Sequence, residues 1–525
     1  MDNLAVQTES YSTNWLTLCN YTPGKHQIEG ILRLIHEPYF ALFDEMGSGK
    51  SLQVIVAAQI LFENNQIDRV IVIAPASVRS VWFDQELGEL KKHLWRDLRV
   101  WVTEFHSRKR RWEQGNPRPD ARILRWVITN YDFIRSAERR LELLKVCNSR
   151  TLLVLDESSA VKNPAAKQTK GCEEIRQKCG RIVILNGTPI ANNPGDLYSQ
   201  AHLMNPAIFN VKNWYHFRSR YGVMGGWQGK QVLSWHDVDD IQRRLAPFVL
   251  RRLKSQCLDL PAKLDSVPLI VNLSQKTWEI YKQMRDDMVA WLSQDTLATA
   301  QQAIVRLLRL SQITSGFVGG VQQGDVDLLS FDPVEGESEK PEIGLQVGLV
   351  REIGREKLDL FLSWLKERLE EDPRIKILVW CRFRAELARL ADELVKFEGL
   401  AIGRLWGGQK RVDRDTTLRL LDPRTTPDSS VVVLGTPASG AMGLNLTASH
   451  TVVYLSNDYS LKTRLQSEDR VHRPGQTSPV SYFDVIAEGP KGQKTIDHTI
   501  LAALKRKDDL ATWTSAAWIH ELQEE

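Results

Sequence analysis

YFALFDEMGSGKSLQVIVAAQILF, Tyr39 to Phe62, is the stretch that decides how this chain is read. Tyr39 to Phe43 is an apolar, strand-like run; DEMGSGKS (Asp44 to Ser51) is a glycine loop; LQVIVAAQILF is apolar and helix-compatible. Strand, glycine loop and helix in that order make a phosphate cradle. Gly47 and Gly49, with Ser48 between them, let the backbone turn its N–H groups onto phosphates. Lys50 adds a point charge, and the Ser51 hydroxyl can ligate Mg2+. The strict pattern has glycine where Asp44 stands. A GKS tripeptide alone belongs to many ordinary turns; the flanking strand and helix are what make this one a nucleotide loop.

Such a loop still needs a metal ligand and a base for water. TLLVLDES (Thr151 to Ser158) reads as a strand ending in Asp156 and Glu157, and open parallel sheets place ligands at the carboxyl ends of their strands. A third strand, RIVILNGTPI, closes with Gly187, Thr188 and Pro189, a turn able to sense what the cleft contains. Far downstream, QSEDRVHRPGQ (Gln466 to Gln476) sets Arg470 and Arg473 three apart in a helix-like segment. Both side chains then leave one face and can reach one anion, as stabilising a phosphoryl group in flight requires.

Composition agrees. A chain of 525 residues, 42% hydrophobic, can bury two large cores, and 26% charged residues is ordinary for a soluble protein. The net charge of +4 confines any nucleic-acid groove to a local patch. Six cysteines without a CxxC pair argue against a zinc module and a disulfide framework, and fit a reducing cytosol. The amino terminus, MDNLAVQTESYSTNW, has neither a basic region nor an apolar core, and no long apolar span follows.

Taken in order, KHQIEG, DEMGSGKS, VIVIAPASVRSVW, WVITNYD, LDESSAVKNP, LNGTPIANNPGDLYS, FVLRRLKSQ with LPAK, ILVWCRFRAEL, GTPASGAMGLNLTASHTVVYL and QSEDRVHRPGQ resemble the Swi/Snf-type ATPases of helicase superfamily 2. That is the chromatin-remodeller and DNA-repair translocase class, and the compact single motor resembles its bacterial or phage members. The resemblance implies two RecA-like lobes with helical protrusions between them, ATP and Mg2+ as cofactors, and roles residue by residue. Gln27 would read the adenine edge; Gly47, Ser48, Gly49, Lys50 and Ser51 would hold phosphates; Ser51 and Asp156 would hold the metal; Glu157 would be the base for water. Thr188 would couple nucleotide state to nucleic acid. Gly443 and Gln466 would meet the nucleotide from the second lobe, with Arg470 and Arg473 completing the site. Nucleic acid would meet Ser77, Asn130, Tyr131, Lys162, Phe383, Ser439 and Asn445. Departures from the family pattern stand at Ser51, Ser159, Ala191 and Pro437, where threonine, histidine, glutamine and a basic residue are usual.

The implied activity is DNA-dependent ATP hydrolysis driving movement on duplex or branched DNA by a monomer, with RNA as the second candidate substrate, unknown protein partners and no membrane. The compartment would be the cytoplasm of a bacterial or phage-infected cell, or the nucleus of a eukaryote. A strand-separating helicase and a nucleotide-gated clamp with little turnover are the alternatives.

Apolar strand-like and helical runs alternate at βαβ spacing from about Gln27 to Asn193 and again from Glu356 to Ile486, so each lobe is expected to be an α/β parallel sheet flanked by helices. Lobe 1 is read as residues 1–200, protrusions and linker as 201–347, lobe 2 as 348–490, and a closing helix as 491–525. Trp278, Tyr281, Met284, Met288 and Trp291 recur at helical spacing and read as a packed face. HSRKRRW (His106 to Trp112) reads equally as a phosphate-binding run and as a solvated face.

Overall fold

In a computed structural model, the residues described are 13–76, 78–85, 88–105, 109–114, 122–190, 193–225, 231–294, 300–319, 350–406, 409–437 and 445–508. They fall into two compact units that divide between Leu258 and Asp259. The boundary read at residue 200 lies inside a helix, Asp196–Met204, and the first unit continues to Leu258.

The strands of the first unit are β1 (Tyr39–Leu42), β2 (Arg69–Ala74), β3 (Val100–Glu104), β4 (Lys109–Gln114), β5 (Leu124–Asn130), β6 (Thr151–Leu155), β7 (Arg181–Leu185), β8 (Gly222–Gly225), β9 (Gln231–Trp235) and β10 (Val249–Leu250). Eight of them form one sheet in the order β10-β1-β7-β6-β2-β5-β3-β4, while β8 and β9 pair as an antiparallel hairpin. Every pairing in the large sheet is parallel except that of the edge strand β4 with β3. Helices cover both faces, so alternate residues of one strand enter different cores. Val70, Val72, Leu152 and Val154 join one core; Ile71, Ile73, Leu153 and Leu155 join the other. Strands buried on both faces need continuous apolar runs, as these are, and each such side chain contributes ~1.5–3 kcal/mol.

Half of HSRKRRW is the edge strand β4, and Arg111 within it pairs with the buried Glu104, which Arg79 also reaches at 2.9 Å. Arg111 is therefore spoken for by a protein carboxylate. The aromatic segment after Asn213 forms the helix Trp214–Tyr221, whose Phe217 lies 4.8 Å from Tyr221 and 6.0 Å from Trp235 between ring centres, inside the unit's core.

The second unit contains β11 (Val267–Asn272), β12 (Phe317–Val318), β13 (Arg351–Glu352), β14 (Lys376–Trp380), β15 (Ala401–Leu405), β16 (Val431–Gly435), β17 (Thr451–Tyr454) and β18 (Ser481–Glu488). Six of these make an all-parallel sheet in the order β11-β18-β17-β14-β16-β15, again between two cores. The helix Gln275–Gln294 buries Trp278 against Tyr281 at 5.3 Å, with the Tyr281 hydroxyl accepting from Ile496 N at 2.8 Å, so that part of the stripe is a packed face. Met288 and Trp291 have side chains outside the described set. A helix over 496–508 closes the unit: Ile496, Ile500 and Leu504 are buried, and Asp497 pairs with Lys357 at 2.8 Å.

Candidate nucleotide site

The order β1-β7-β6 makes neighbours of the three strands whose carboxyl ends carry the glycine loop, the Gly187–Pro189 turn and the Asp156–Glu157 pair. Gly47 and Thr188, 141 positions apart in sequence, thereby share one rim of the first sheet, where an open parallel sheet receives ligands.

The loop leaves β1 and enters the helix Lys50–Glu63 through Gly47 (φ 78°) and Gly49 (φ 81°), left-handed conformations that glycine adopts without strain. A Cβ on Gly49 would stand 2.2 Å from the Gln27 amide nitrogen. Gln27 Nε2 donates to Ser48 O at 3.1 Å and Gln27 Oε1 accepts from Gly24 N at 2.9 Å, so this glutamine braces the loop from the helix Lys25–His36. Lys50 Nζ reaches back to Asp44 O at 2.7 Å and Glu45 O at 3.1 Å. Ser51 is partly exposed on the first helical turn.

Asp44, the departure from the strict pattern, is an anchor. Its carboxylate is fully buried and takes a bidentate pair from Arg252, at 3.0 and 2.6 Å. Its neighbour Arg251 donates to Phe43 O and, at 2.9 Å, to Gly187 O. The block FVLRRLKSQ thus adds the edge strand β10 beside β1 and two guanidinium groups that fix the loop and the Gly187 turn. Nothing local in the sequence announces this; the only signal is a pair of arginines after an apolar run.

At the end of β6, Asp156 Oδ2 accepts from Trp82 Nε1 at 2.9 Å and Oδ1 accepts from Glu157 N at 2.9 Å. Burial, then the Glu157 charge, push the Asp156 carboxyl up to about 6, against the Trp82 hydrogen bond and the Lys50 charge. Glu157 sits at φ 52°, ψ 52°, a left-handed conformation rare outside glycine; such strain of order ~1–3 kcal/mol collects at functional sites. Trp82, stacked on Trp126 at 6.4 Å, is a residue the sequence reading passed over.

Thr188 is 1% exposed, its N–H donates to Asn186 Oδ1 at 3.0 Å, and its hydroxyl has no hydrogen-bond partner among the described residues. The Ser48 hydroxyl is buried in the same state. Two orphaned hydroxyls, two left-handed glycines, a lysine and a carboxylate on one rim fit a nucleotide phosphate chain with its divalent cation.

Several expected nucleic-acid contacts face inward. Tyr131 is 5% exposed and donates its hydroxyl to Asp156 O at 2.8 Å, which burial favours by raising its pKa. Asn130 caps the helix Tyr131–Arg135 by accepting from Phe133 N at 2.7 Å. Phe383 is 1% exposed, packed edge-on to Phe317 at 5.3 Å in the second unit. Each of these three side chains is held by a neighbour in its own unit. Lys162 lies 3.8 Å from Asp196, and Asn445 is exposed. Ser77, Ala191, Ser439 and Gly443 lie outside the described residues.

In the second unit the helix Leu461–Glu468 carries the partly exposed Gln466 and ends before both arginines. Arg470 and Arg473 stand on the turns that follow, closed by Gly475 at φ 102°, so their common helical face is replaced by a fixed turn. Leu446 N donates to Arg470 O at 3.0 Å, which brings Asn445 beside Arg470. Glu468 anchors the turn between Lys263 at 2.6 Å and Arg464 at 2.6 Å. Burial alone would raise its carboxyl; the Lys263 and Arg464 charges outweigh burial and hold it at about 2. His472 adds a contact to Pro261 O at 2.8 Å.

Comparison with known proteins gives two family matches: residues 26–315 to the SNF2-related domain and residues 356–475 to the helicase conserved C-terminal domain. Chromodomain-helicase-DNA-binding protein 1-like of Danio rerio is 29% identical over 90% of this chain and 42% of its own length. Nuclear protein STH1/NPS1 of Saccharomyces cerevisiae is 26% identical over 89% of this chain and 33% of its own. The chain thus spans less than half of either relative. Among solved structures, the Sulfolobus solfataricus SWI2/SNF2 ATPase core in complex with dsDNA is 23% identical, covers 96% of both chains, and has a TM-score of 0.40.

Proposed function

The chain belongs to the SNF2-related domain family, and from that premise we propose that it is an ATP-driven motor that moves along duplex DNA to remodel protein–DNA complexes or branched DNA. One observation carries the reading: the phosphate loop, the Asp156–Glu157 pair and the Thr188 turn meet on the rim formed by β1, β7 and β6. The matched helicase C-terminal domain and the name of the Danio rerio relative support DNA as the substrate.

ATP is the substrate of this rim. Lys50 and the loop N–H groups bind the phosphates, and Ser51 with Asp156 would hold Mg2+, whose charge offsets that of the phosphates when bound. Trp82 fixes the Asp156 carboxylate, leaving Glu157 to orient water and accept its proton. Arg470 and Arg473 supply transition-state charge from the second unit, so hydrolysis requires the two units to close and its completion releases them. Alternating closure lets each unit hold the DNA backbone in turn, which makes movement largely independent of sequence. No helix among the described residues is long and apolar enough to cross a membrane.

The test is steady-state ATP hydrolysis with single-stranded, duplex, forked and RNA substrates. Duplex DNA should stimulate most, and equal rates with and without every nucleic acid would sink the motor reading. Displacement of a triplex strand without separation of a forked duplex is expected of a translocase; efficient fork separation would turn the assignment to a helicase.

A further inference from the structure

We propose that Gln200 is a positioning residue that couples the turn carrying Glu157 to the turn carrying Thr188. This inference rests on the ATPase reading above. Gln200 lies one turn into the helix Asp196–Met204, with no solvent exposure, over the adjoining carboxyl ends of β6 and β7. Its Oε1 accepts from Ser158 Oγ at 2.6 Å and from Asn186 Nδ2 at 3.3 Å. Its Nε2 donates to Pro189 O at 3.0 Å and to Asp196 O at 2.7 Å. All four hydrogen-bonding positions of the amide are used.

The partners give those bonds their meaning. Ser158 directly follows Glu157, and Asn186 and Pro189 flank Gly187 and Thr188, with Asn186 Oδ1 itself holding the Thr188 N–H at 3.0 Å. Ser158 and Asn186 are, like Gln200, buried to 1% exposure or less. A rigid planar amide that bonds both turns allows neither to move alone, because a displaced partner leaves a buried donor or acceptor unsatisfied. A shift of Glu157 on nucleotide binding would therefore be carried to Thr188 through one side chain.

Two variants test this, Gln200→Leu, which keeps volume and removes all four bonds, and Ser158→Ala, which removes one. Each is followed by ATP turnover and by hydrogen exchange at the Thr188 amide. With duplex DNA, Gln200→Leu should lower kcat by about 100-fold, the scale of an ångström-sized misplacement, with the KM for ATP within about threefold of wild type. Ser158→Ala should lower it less, and the double variant should fall no further than Gln200→Leu alone. A non-hydrolysable ATP analogue should slow exchange at Thr188 in the wild type and leave it unchanged in Gln200→Leu. Multiplicative effects of the two substitutions, or an exchange response retained in Gln200→Leu, would overturn the coupling. Absence of hydrolysis by the wild type rejects the motor reading, while the exchange response to the analogue still decides the role of Gln200.

Discussion

At the end of β6 the chain passes into Asp156 and a left-handed Glu157, while at the end of β14, an interior strand of the other sheet, it passes into Cys381, Arg382 and Phe383, all at 2% exposure or less. Both strands are parallel, apolar and buried on both faces. Only the first delivers carboxylates to its rim. The candidate arginines of the second unit, Arg470 and Arg473, stand elsewhere, on the turn after the helix Leu461–Glu468, held by Glu468 and Gly475. Parallel-sheet architecture thus gives a place for chemistry but does not supply it. Left-handed turns and buried counter-charges at particular ends do.

The largest effects should come from breaking each unit's charged end in turn. Arg470→Ala should cut kcat by about three to five orders of magnitude with nucleotide affinity nearly unchanged, read by steady-state kinetics beside fluorescent-nucleotide titration. Glu157→Gln should cost about two to four orders and also spare binding. If either variant instead lost nucleotide affinity in proportion to turnover, the division of labour between the two ends would be wrong.

Stability separates the units next. Arg252→Met leaves the Asp44 carboxylate buried without its guanidinium, and should destabilise the first unit by about 3–5 kcal/mol in denaturant unfolding. Trp364 and Trp380, buried in the second unit, should report no matching loss.

The acid limb sharpens the contrast from the other side. Glu468 is held at about 2 against an ordinary 4.5, so its contribution, about 3 kcal/mol, is fully present above pH 4.5 and is lost as pH falls towards 2. Glu468→Gln should be less stable at neutral pH and should flatten that limb in acid titration of the second unit. An unchanged limb would remove the ion pair from the account of the arginine turn. The smallest effect is expected from Asn130→Ala, about 1 kcal/mol for a lost helix cap, with DNA affinity unaltered. A large fall in DNA affinity with normal stability would restore Asn130 as a nucleic-acid contact.

Much of this was legible in the chain itself. The glycine loop, the carboxylates after TLLVL and the alternating strands expected between Glu356 and Ile486 all lie where their patterns put them. Such features are local: hydrophobic period, chain length and left-handed turns are fixed by neighbouring residues. The direction of a polar or aromatic side chain near a strand end is not local. The resemblance implies Tyr131 and Phe383 as nucleic-acid contacts, and only the structure shows that their side chains meet Asp156 O and Phe317.

The sequence by itself determined the two parallel sheets, the order of the motifs and the chemistry of the phosphate loop, since each follows from residues adjacent in the chain. Tertiary structure alone decided that Asp44 is an anchor, through an arginine 208 residues away, and that Gln200 joins two turns from opposite ends of a helical excursion. The reason is physical. A buried polar group must find its partner wherever packing places one, and sequence separation does not limit that search.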